Sequence, residues 1–225
     1  MEKIASGLYV VSTPIGNLED ITIRAIKILK NSNFILCEDT RRSSKLLNYY
    51  QIRGKLIPYH KFNERKTKDK IINLMKKNNI VSLISDAGTP AISDPGMILV
   101  DQCLREKVNV HPVPGPSAVT SAVSISGFDD KYIFYGFPPK TDAEADKTFK
   151  VLRNLNYCIV FFITAKKINF FLKKFREYFI NRKIFIAREM TKVYESSIRD
   201  EVKSVRDFST SLKGELTVIL SKESN

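Results

Sequence analysis

The chain has 225 residues, 43% of them apolar, a size and composition that allow one large domain or two modest ones, each able to bury a core. Its three cysteines, Cys37, Cys103 and Cys158, are odd in number, far apart and without a C-x-x-C pair, and only His60 and His111 could join them, which excludes a structural zinc and fits a reducing compartment. The formal charge of +13 suits a polyphosphate partner, although the Asn, Ile, Phe and Tyr bias of AT-rich codons raises the lysine count without selection for binding.

MEKIASGLYVVSTPIGN is interrupted by Gly and Pro before a signal-peptide core could form, and YCIVFFIT is too short to span a bilayer, so a soluble cytosolic protein is expected. GLYVVS reads as a strand ended by TPIGN, with Asp20 placed to cap a helix carrying Ile23, Ile26 and Leu29. FILCE and LIPYH read as strands two and three, followed by the helical stretches DTRRSSKLLNYY and a lysine-rich segment to Lys77. IVSLI is a fourth strand, MILVDQCLREK a helix, VNVHPV a fifth strand and PGPSAVTSAVSIS the approach to another helix. Strands apolar on both faces that alternate with helices indicate a mostly parallel sheet covered by helices.

The composition shifts at SGFDDKYIFYGFPPKTDAEA, which places a boundary near residue 125, with an N-terminal α/β domain over 1–125 and a second over 126–225. Beyond it YCIVFFIT, RKIFIARE and ELTVILS read as strands and KKINFFLKKFREYF as a helix, giving an α/β domain with a mixed sheet.

Three turn-rich loops stand at carboxyl ends of first-domain strands: Thr13 to Asn17, Ser85 to Gly96 and Pro114 to Ser117. Ligands of open α/β sheets bind beyond those strand ends, so the loops are a candidate pocket. Neither G-x-x-x-x-G-K-[ST] nor G-x-G-x-x-G occurs, so a Walker cradle and a dinucleotide loop are absent and the ligand should lack polyphosphate. His60 follows a strand and His111 sits inside one, where a hydrogen-bonded structural role outweighs a catalytic one.

STPIGNLEDIT, CEDTR, SDAGTPAISDPG, PVPGPSA and AREMTK stand in the order and spacing of the tetrapyrrole-methylase-like (class III) methyltransferases, which the chain resembles from about Gly7 to Leu220. Within that family it is most similar to the bacterial branch that 2'-O-methylates a cytidine in the decoding region of 16S ribosomal RNA. The resemblance implies two α/β domains with S-adenosylmethionine (SAM) in the cleft between them, a homodimer, and small-subunit RNA as substrate, without metal or membrane. It implies cofactor contacts from Pro14, from Asp86, Ala87, Gly88, Thr89, Pro90 and Ile92, from Ser117 and Ala118, and from Phe162, Met190 and Thr217. The family branch commonly reads Tyr-Glu-Ser-Pro-His-Arg where this chain has Phe162-Ile163-Thr164-Ala165-Lys166-Lys167, a departure that loses an acid, a proline and a histidine. The other readings left open are a catalytically weak RNA-binding or ribosome-assembly factor and a small-molecule methylase.

Methyl transfer is an in-line displacement in which alignment supplies much of the rate, but a ribose hydroxyl is a weak nucleophile that a nearby base would help. Glu38, Asp39, Asp86, Asp94 and Glu189 are candidates, with Glu38, Asp39 and Arg41 taken as the catalytic set. Each has a structural alternative: Asp39 as a helix cap, Asp94 as a turn acid before proline, Glu38 and Glu189 as partners of Arg41 and Arg188. Arg41 and Arg42 are suited to holding phosphate.

Overall fold

In the computed structural model, which describes residues 4–223, the apolar runs of the first half become β1 (Gly7–Val11), β2 (Phe34–Cys37), β3 (Lys55–Pro58), β4 (Ile80–Leu83) and β5 (Val110–Val113). They form one sheet in the order β3-β2-β4-β1-β5, and every pairing is parallel. Alternate residues of each strand leave opposite faces. Tyr9, Val11, Ile35 and Cys37 pack with Ala25, Ile28 and Leu29 of α1 (Ile23–Asn31) and with Leu46 and Leu47 of α2 (Thr40–Tyr49). Leu8, Leu36, Val81 and Leu83 pack on the other side with Ile71, Ile72 and Met75 of α3 (Glu64–Lys76) and with Leu99 and Cys103 of α4 (Met97–Arg105).

The strand order has a functional corollary. From β1 the chain crosses by α1 toward β2, whereas from the neighbouring β4 it crosses by α4, on the opposite face, toward β5. The two connections part between β1 and β4, which makes the carboxyl ends of those strands the topological switch point where α/β sheets open a crevice.

Thr22, not Asp20, caps α1: its Oγ1 accepts from the Ala25 amide at 3.0 Å, while Asp20 ends a short 3-10 turn, Leu18–Asp20. The expected stripe is therefore rotated, with Ile23 at the first helical position and 88% exposed. Asp39 does cap α2, accepting from the Arg41 amide at 2.9 Å.

The chain divides into two compact units, Met1–Ser117 and Ala118–Asn225, and α5 (Ala118–Ser126) packs with the second of them, against its strand β10 (Glu215–Leu220). The other strands of this unit are β6 (Tyr132–Gly136), β7 (Cys158–Thr164), β8 (Lys183–Arg188) and β9 (Ser196–Glu201). Their order is β6-β7-β10-β8-β9, parallel between β6 and β7 and antiparallel elsewhere. One face carries Ile159, Phe161, Ile163, Leu216 and Val218 against α6 (Asp142–Leu152) and α7 (Ile168–Tyr178), centred on the fully buried Phe149. The segment read as a boundary thus holds β6 and the start of α6. Thr141 caps that helix: its Oγ1 accepts from the Glu144 amide at 3.4 Å and donates to the Glu144 carboxylate at 2.8 Å.

Two of the cations behind the formal charge of +13 are structural rather than available to a polyanion. Lys174 is buried and paired with Asp142 at 2.9 Å and Asp146 at 2.6 Å. Arg182, 2% exposed, donates to four carbonyls, those of Tyr157, Ser221, Arg153 and Leu155, at 2.7–3.1 Å. Among the described residues it has no ion pair within 4 Å; burial pulls its pKa below the usual arginine value against the charge of Glu223, and its guanidinium lies 5.3 Å from the centre of the Phe179 ring. Arg182→Met leaves those carbonyls without donors and is expected to cost roughly 2–4 kcal/mol, read as a lower urea midpoint with an unchanged slope.

A candidate ligand site at the strand ends of the first unit

The loops after β1 and β4 are bound to each other directly. The Thr13 amide donates to the Gly88 carbonyl at 2.9 Å and the Gly88 amide to the Thr13 carbonyl at 3.0 Å, an isolated antiparallel bridge between loops of parallel strands. Thr13 Oγ1 donates to the Ser85 carbonyl at 3.1 Å, and Ser85 Oγ to the Gly88 carbonyl at 3.1 Å. Ser12 and Thr89 share a hydroxyl contact of 2.9 Å, and Thr89 Oγ1 reaches the Pro116 carbonyl at 3.3 Å, which brings in the third loop. Sequence reasoning singled out the three loops but not Ser12, Thr13 and Ser85 as the residues that fasten them. The only available signal was the run of small hydroxyl residues at two strand ends.

The loop after β4 turns through four left-handed positions, Gly88 at φ +80°, Ala91 at +67°, Ser93 at +65° and Gly96 at +140°. Two of these are not glycine, so backbone strain is held here by the surrounding bonds, as occurs at functional sites. At Gly88 the need for glycine lies in the backbone angle: an added Cβ would meet Ile15 Cγ2 at 3.5 Å and the Pro116 oxygen at 3.8 Å, ordinary contacts. Gly88→Ala is therefore expected to lose about 1–2 kcal/mol through the left-handed conformation, measurable by urea denaturation, without displacing its neighbours.

Of the residues expected to contact cofactor, Pro14 and Pro90 are buried and stiffen their loops, Gly88 and Thr89 belong to the bonded framework, and Ala87 and Ile92 are exposed. Asp86 Oδ1 accepts from the Asp39 amide at 3.2 Å, and its Oδ2 lies 3.3 Å from Arg42. Ser117 closes the first unit and Ala118 opens α5. In the second unit Phe162 and Thr217 are cross-strand partners, and Thr217 in turn opposes Ala187. Phe162 packs edge-on to Phe134 and Phe137, with ring centres at 4.9 and 5.6 Å. Met190 is buried, between Glu189 and Thr191, which both have positive φ.

The acids divide sharply. Asp39 is committed: Oδ1 accepts from the amide and Nε of Arg41, Oδ2 from its Nη2 at 2.8 Å, and these donors hold its carboxyl well below the usual range. That disqualifies Asp39 as a base at neutral pH and makes Arg41 its partner, although Arg41 remains 87% exposed. Glu38 is exposed and forms no ion pair with Arg41. Glu189 pairs with Lys192 at 3.0 Å rather than with Arg188, and its Oε1 accepts the Glu215 amide at 3.0 Å. Burial pushes Glu189 up, but the Glu215 amide and Lys192 outweigh it and leave the carboxyl below its usual value. Asp94 behaves oppositely. Burial, then the nearby charge of Glu38, raises it to about 6 against the opposing effects of Lys61 and Ser85.

Neither histidine completes a catalytic set. His111 stacks on Tyr9 with ring centres 4.6 Å apart, and its Nε2 is buried without a hydrogen bond, so stacking holds it rather than the expected hydrogen bond. Cys37, Cys103 and Cys158 are buried and unpaired, and no His/Cys/Asp/Glu group among the described residues could hold a metal ion.

Exposed Ala87 and Ile92 offer an apolar surface and the Asp86 carboxylate beside them is a hydrogen-bond acceptor, a chemistry that fits the adenosine and the cationic amino group of SAM.

Comparison with known proteins agrees with this architecture. The tetrapyrrole (corrin/porphyrin) methylases match residues 7–206. A ribosomal RNA small subunit methyltransferase I of Rickettsia prowazekii is 45% identical over 97% of this chain and 79% of its own length. The protein of that name from Thermotoga maritima is also 45% identical, over 95% of this chain and 97% of its own. The solved uroporphyrin-III-C-methyltransferase of Thermus thermophilus shares the fold, with a TM-score of 0.67 over 96% of this chain and 94% of its own at 15% identity. The chain belongs to the tetrapyrrole (corrin/porphyrin) methylase family.

Proposed function

We propose that this chain is a SAM-dependent methyltransferase that methylates the 2'-hydroxyl of a cytidine in the decoding region of 16S ribosomal RNA. The observation that carries the proposal is likeness along nearly the whole chain to proteins named ribosomal RNA small subunit methyltransferase I, at three times the identity shared with the uroporphyrin enzyme. When bound, SAM supplies a methyl group activated on a sulfonium. The residues proposed to hold it are Pro14, Asp86, Ala87, Gly88, Thr89, Pro90 and Ile92 with Ser117 and Ala118, and in the second unit Phe162, Met190 and Thr217. The bonded loops would present a preset surface and so reduce the ordering that binding requires.

The RNA surface in this reading includes the exposed Arg65, Lys66 and Lys70 of α3, Lys61 before it, and Arg42, which is 67% exposed. Lys166 and Lys167, in the segment that departs from the family's usual sequence, and Lys173 of α7 are exposed on the second unit. A homodimer in the cytoplasm completes the proposal on the strength of the resemblance; no helix among the described residues is long and apolar enough to cross a membrane.

The test is to map 2'-O-methylation on small-subunit RNA from cells with and without the protein, and on purified subunits supplied with SAM. A mark on one cytidine that appears only with the protein is expected; its absence, with SAM still bound in calorimetry, would favour the assembly-factor reading. RNA affinity is expected to fall linearly in log–log form with salt, with a slope close to the number of phosphates neutralised. Changing Arg41 and Arg42 together to Ala is expected to reduce RNA methylation far more than SAM affinity, because Arg41 and Arg42 project from the strand-end face while their partners Asp39 and Asp86 remain bonded to backbone amides.

A further inference from the structure

The turn between β3 and α3, residues 59–63, is bonded on several sides and yet sends one apolar ring into solvent. The Tyr59 amide donates to the Cys37 carbonyl at 2.8 Å, and Asn63 closes the turn, its Oδ1 accepting from the His60 amide at 2.9 Å and its Nδ2 donating to the Pro58 carbonyl at 3.0 Å. Toward the loop after β4, Lys61 donates to the Ser93 carbonyl at 3.4 Å and Glu64 accepts from the Gly96 amide at 3.3 Å. These two bonds tie the turn to the loop that carries residues 86–92, at the same strand-end face. Within this frame Phe62 is 93% exposed, its ring edge-on to His60 with centres 6.0 Å apart.

Exposure alone does not mark a site, since Ile23 and Val193 are as open. The surroundings of Phe62 do. Lys61, Arg65 and Lys66 are exposed beside it in the chain, and none of them has an ion pair within 4 Å among the described residues. The apolar residues of α3, Ile71, Ile72 and Met75, are buried against the sheet, so the ring is not the rim of a larger apolar face. A bilayer or an apolar protein partner would need such a face. A single aromatic plane among cations that lack acid partners suits unpaired RNA instead, whose bases stack on aromatic rings while lysine and arginine take the flanking phosphates.

We propose that Phe62 is a stacking platform for an unpaired base of the RNA substrate, with Lys61, Arg65 and Lys66 on the phosphates around it, an inference that rests on the RNA-methylation reading above. Stacking accepts any base, so the ring adds affinity for single-stranded segments rather than reading a sequence. Because the turn already holds the ring in the open, binding requires little ordering on the protein's side.

The test compares wild type with variants at this one position. The ring is outside the core, so the urea midpoint and SAM affinity of Phe62→Ala should match wild type. The same variant should bind a single-stranded oligoribonucleotide of decoding-region sequence about 5–100-fold more weakly, with an unchanged salt slope, whereas Lys66→Gln should reduce that slope by about 0.7. Phe62→Tyr should keep wild-type affinity. The chain contains no tryptophan, so Phe62→Trp supplies a single indole, whose emission should be quenched by the single strand and not by the same sequence annealed to its complement. Methylation of small subunits at limiting RNA should fall in Phe62→Ala in step with affinity. Wild-type RNA affinity in Phe62→Ala, or an indole that bound RNA leaves unquenched, would overturn the proposal while wild-type methylation still stood. Loss of self-association in Phe62→Ala, or quenching of the indole by phosphatidylglycerol vesicles in place of RNA, would also overturn it and assign the ring to a second copy or to a lipid surface. A wild type that neither bound nor methylated RNA would remove the functional reading and this inference with it.

Discussion

The pair of backbone hydrogen bonds between Thr13 and Gly88 is the constraint on which the first unit's chemistry depends. Parallel strands bond along their length, but nothing in that ladder continues into the loops beyond, which would otherwise move independently. By closing an antiparallel bridge at the point where the connections from β1 and β4 diverge, the chain converts two loops into one surface. The hydroxyls of Ser12, Thr13, Ser85 and Thr89 then satisfy each other and nearby carbonyls, so the turns stay in place without a large apolar core of their own. This rigidity is what permits Ala91 and Ser93 to persist in conformations that side chains ordinarily avoid.

Around that surface, charge is sorted by what each carboxylate already bonds to. Asp39 is an architectural acid, tied to the first turn of α2, and Glu189 does the same at the end of β8, where its side chain meets the amide of Glu215. An added Cβ on Gly214 would come within 2.7 Å of that Glu189 carboxylate, which shows how closely the two strand ends are fitted. Acids so occupied are stable as anions and poor as bases. A carboxylate near others of its own sign, with few donors, has the contrary property, and the loop after β4 is the place where the first unit tolerates one.

Much of this was legible before the structure. The strands of the parallel sheet announced themselves because burial on both faces demands uninterrupted apolar runs, and the loops because Gly and Pro punctuate them. β9 was not legible: Ser196–Glu201 is polar and largely exposed, and its pairing with β8 comes from backbone bonds that leave no hydrophobic pattern. α6 was hidden because Thr141, Asp142 and Glu144 look like loop composition until they are recognised as a helix start. Within the site, spacing identified CEDTR but not the division of labour inside it, since only geometry shows that Arg41 folds back onto Asp39. The formal charge overstates the cationic surface for a related reason: sequence counts Lys174 and Arg182 with the rest, while three-dimensional packing buries them.

The placement of β10 between β7 and β8 has a consequence for synthesis on the ribosome. The first sheet has all its strands once residue 113 is made, so that unit can close while the remainder is still being translated. The second cannot do so in stages. β7 and β8 have no bond to one another and wait for a strand whose residues, 215–220, emerge after both. Until then Phe161, Ile163, Ile184 and Ile186 line a sheet with its centre missing. That makes the nascent second unit the part of this protein most dependent on holding factors, and its completion an abrupt, late event rather than a gradual one.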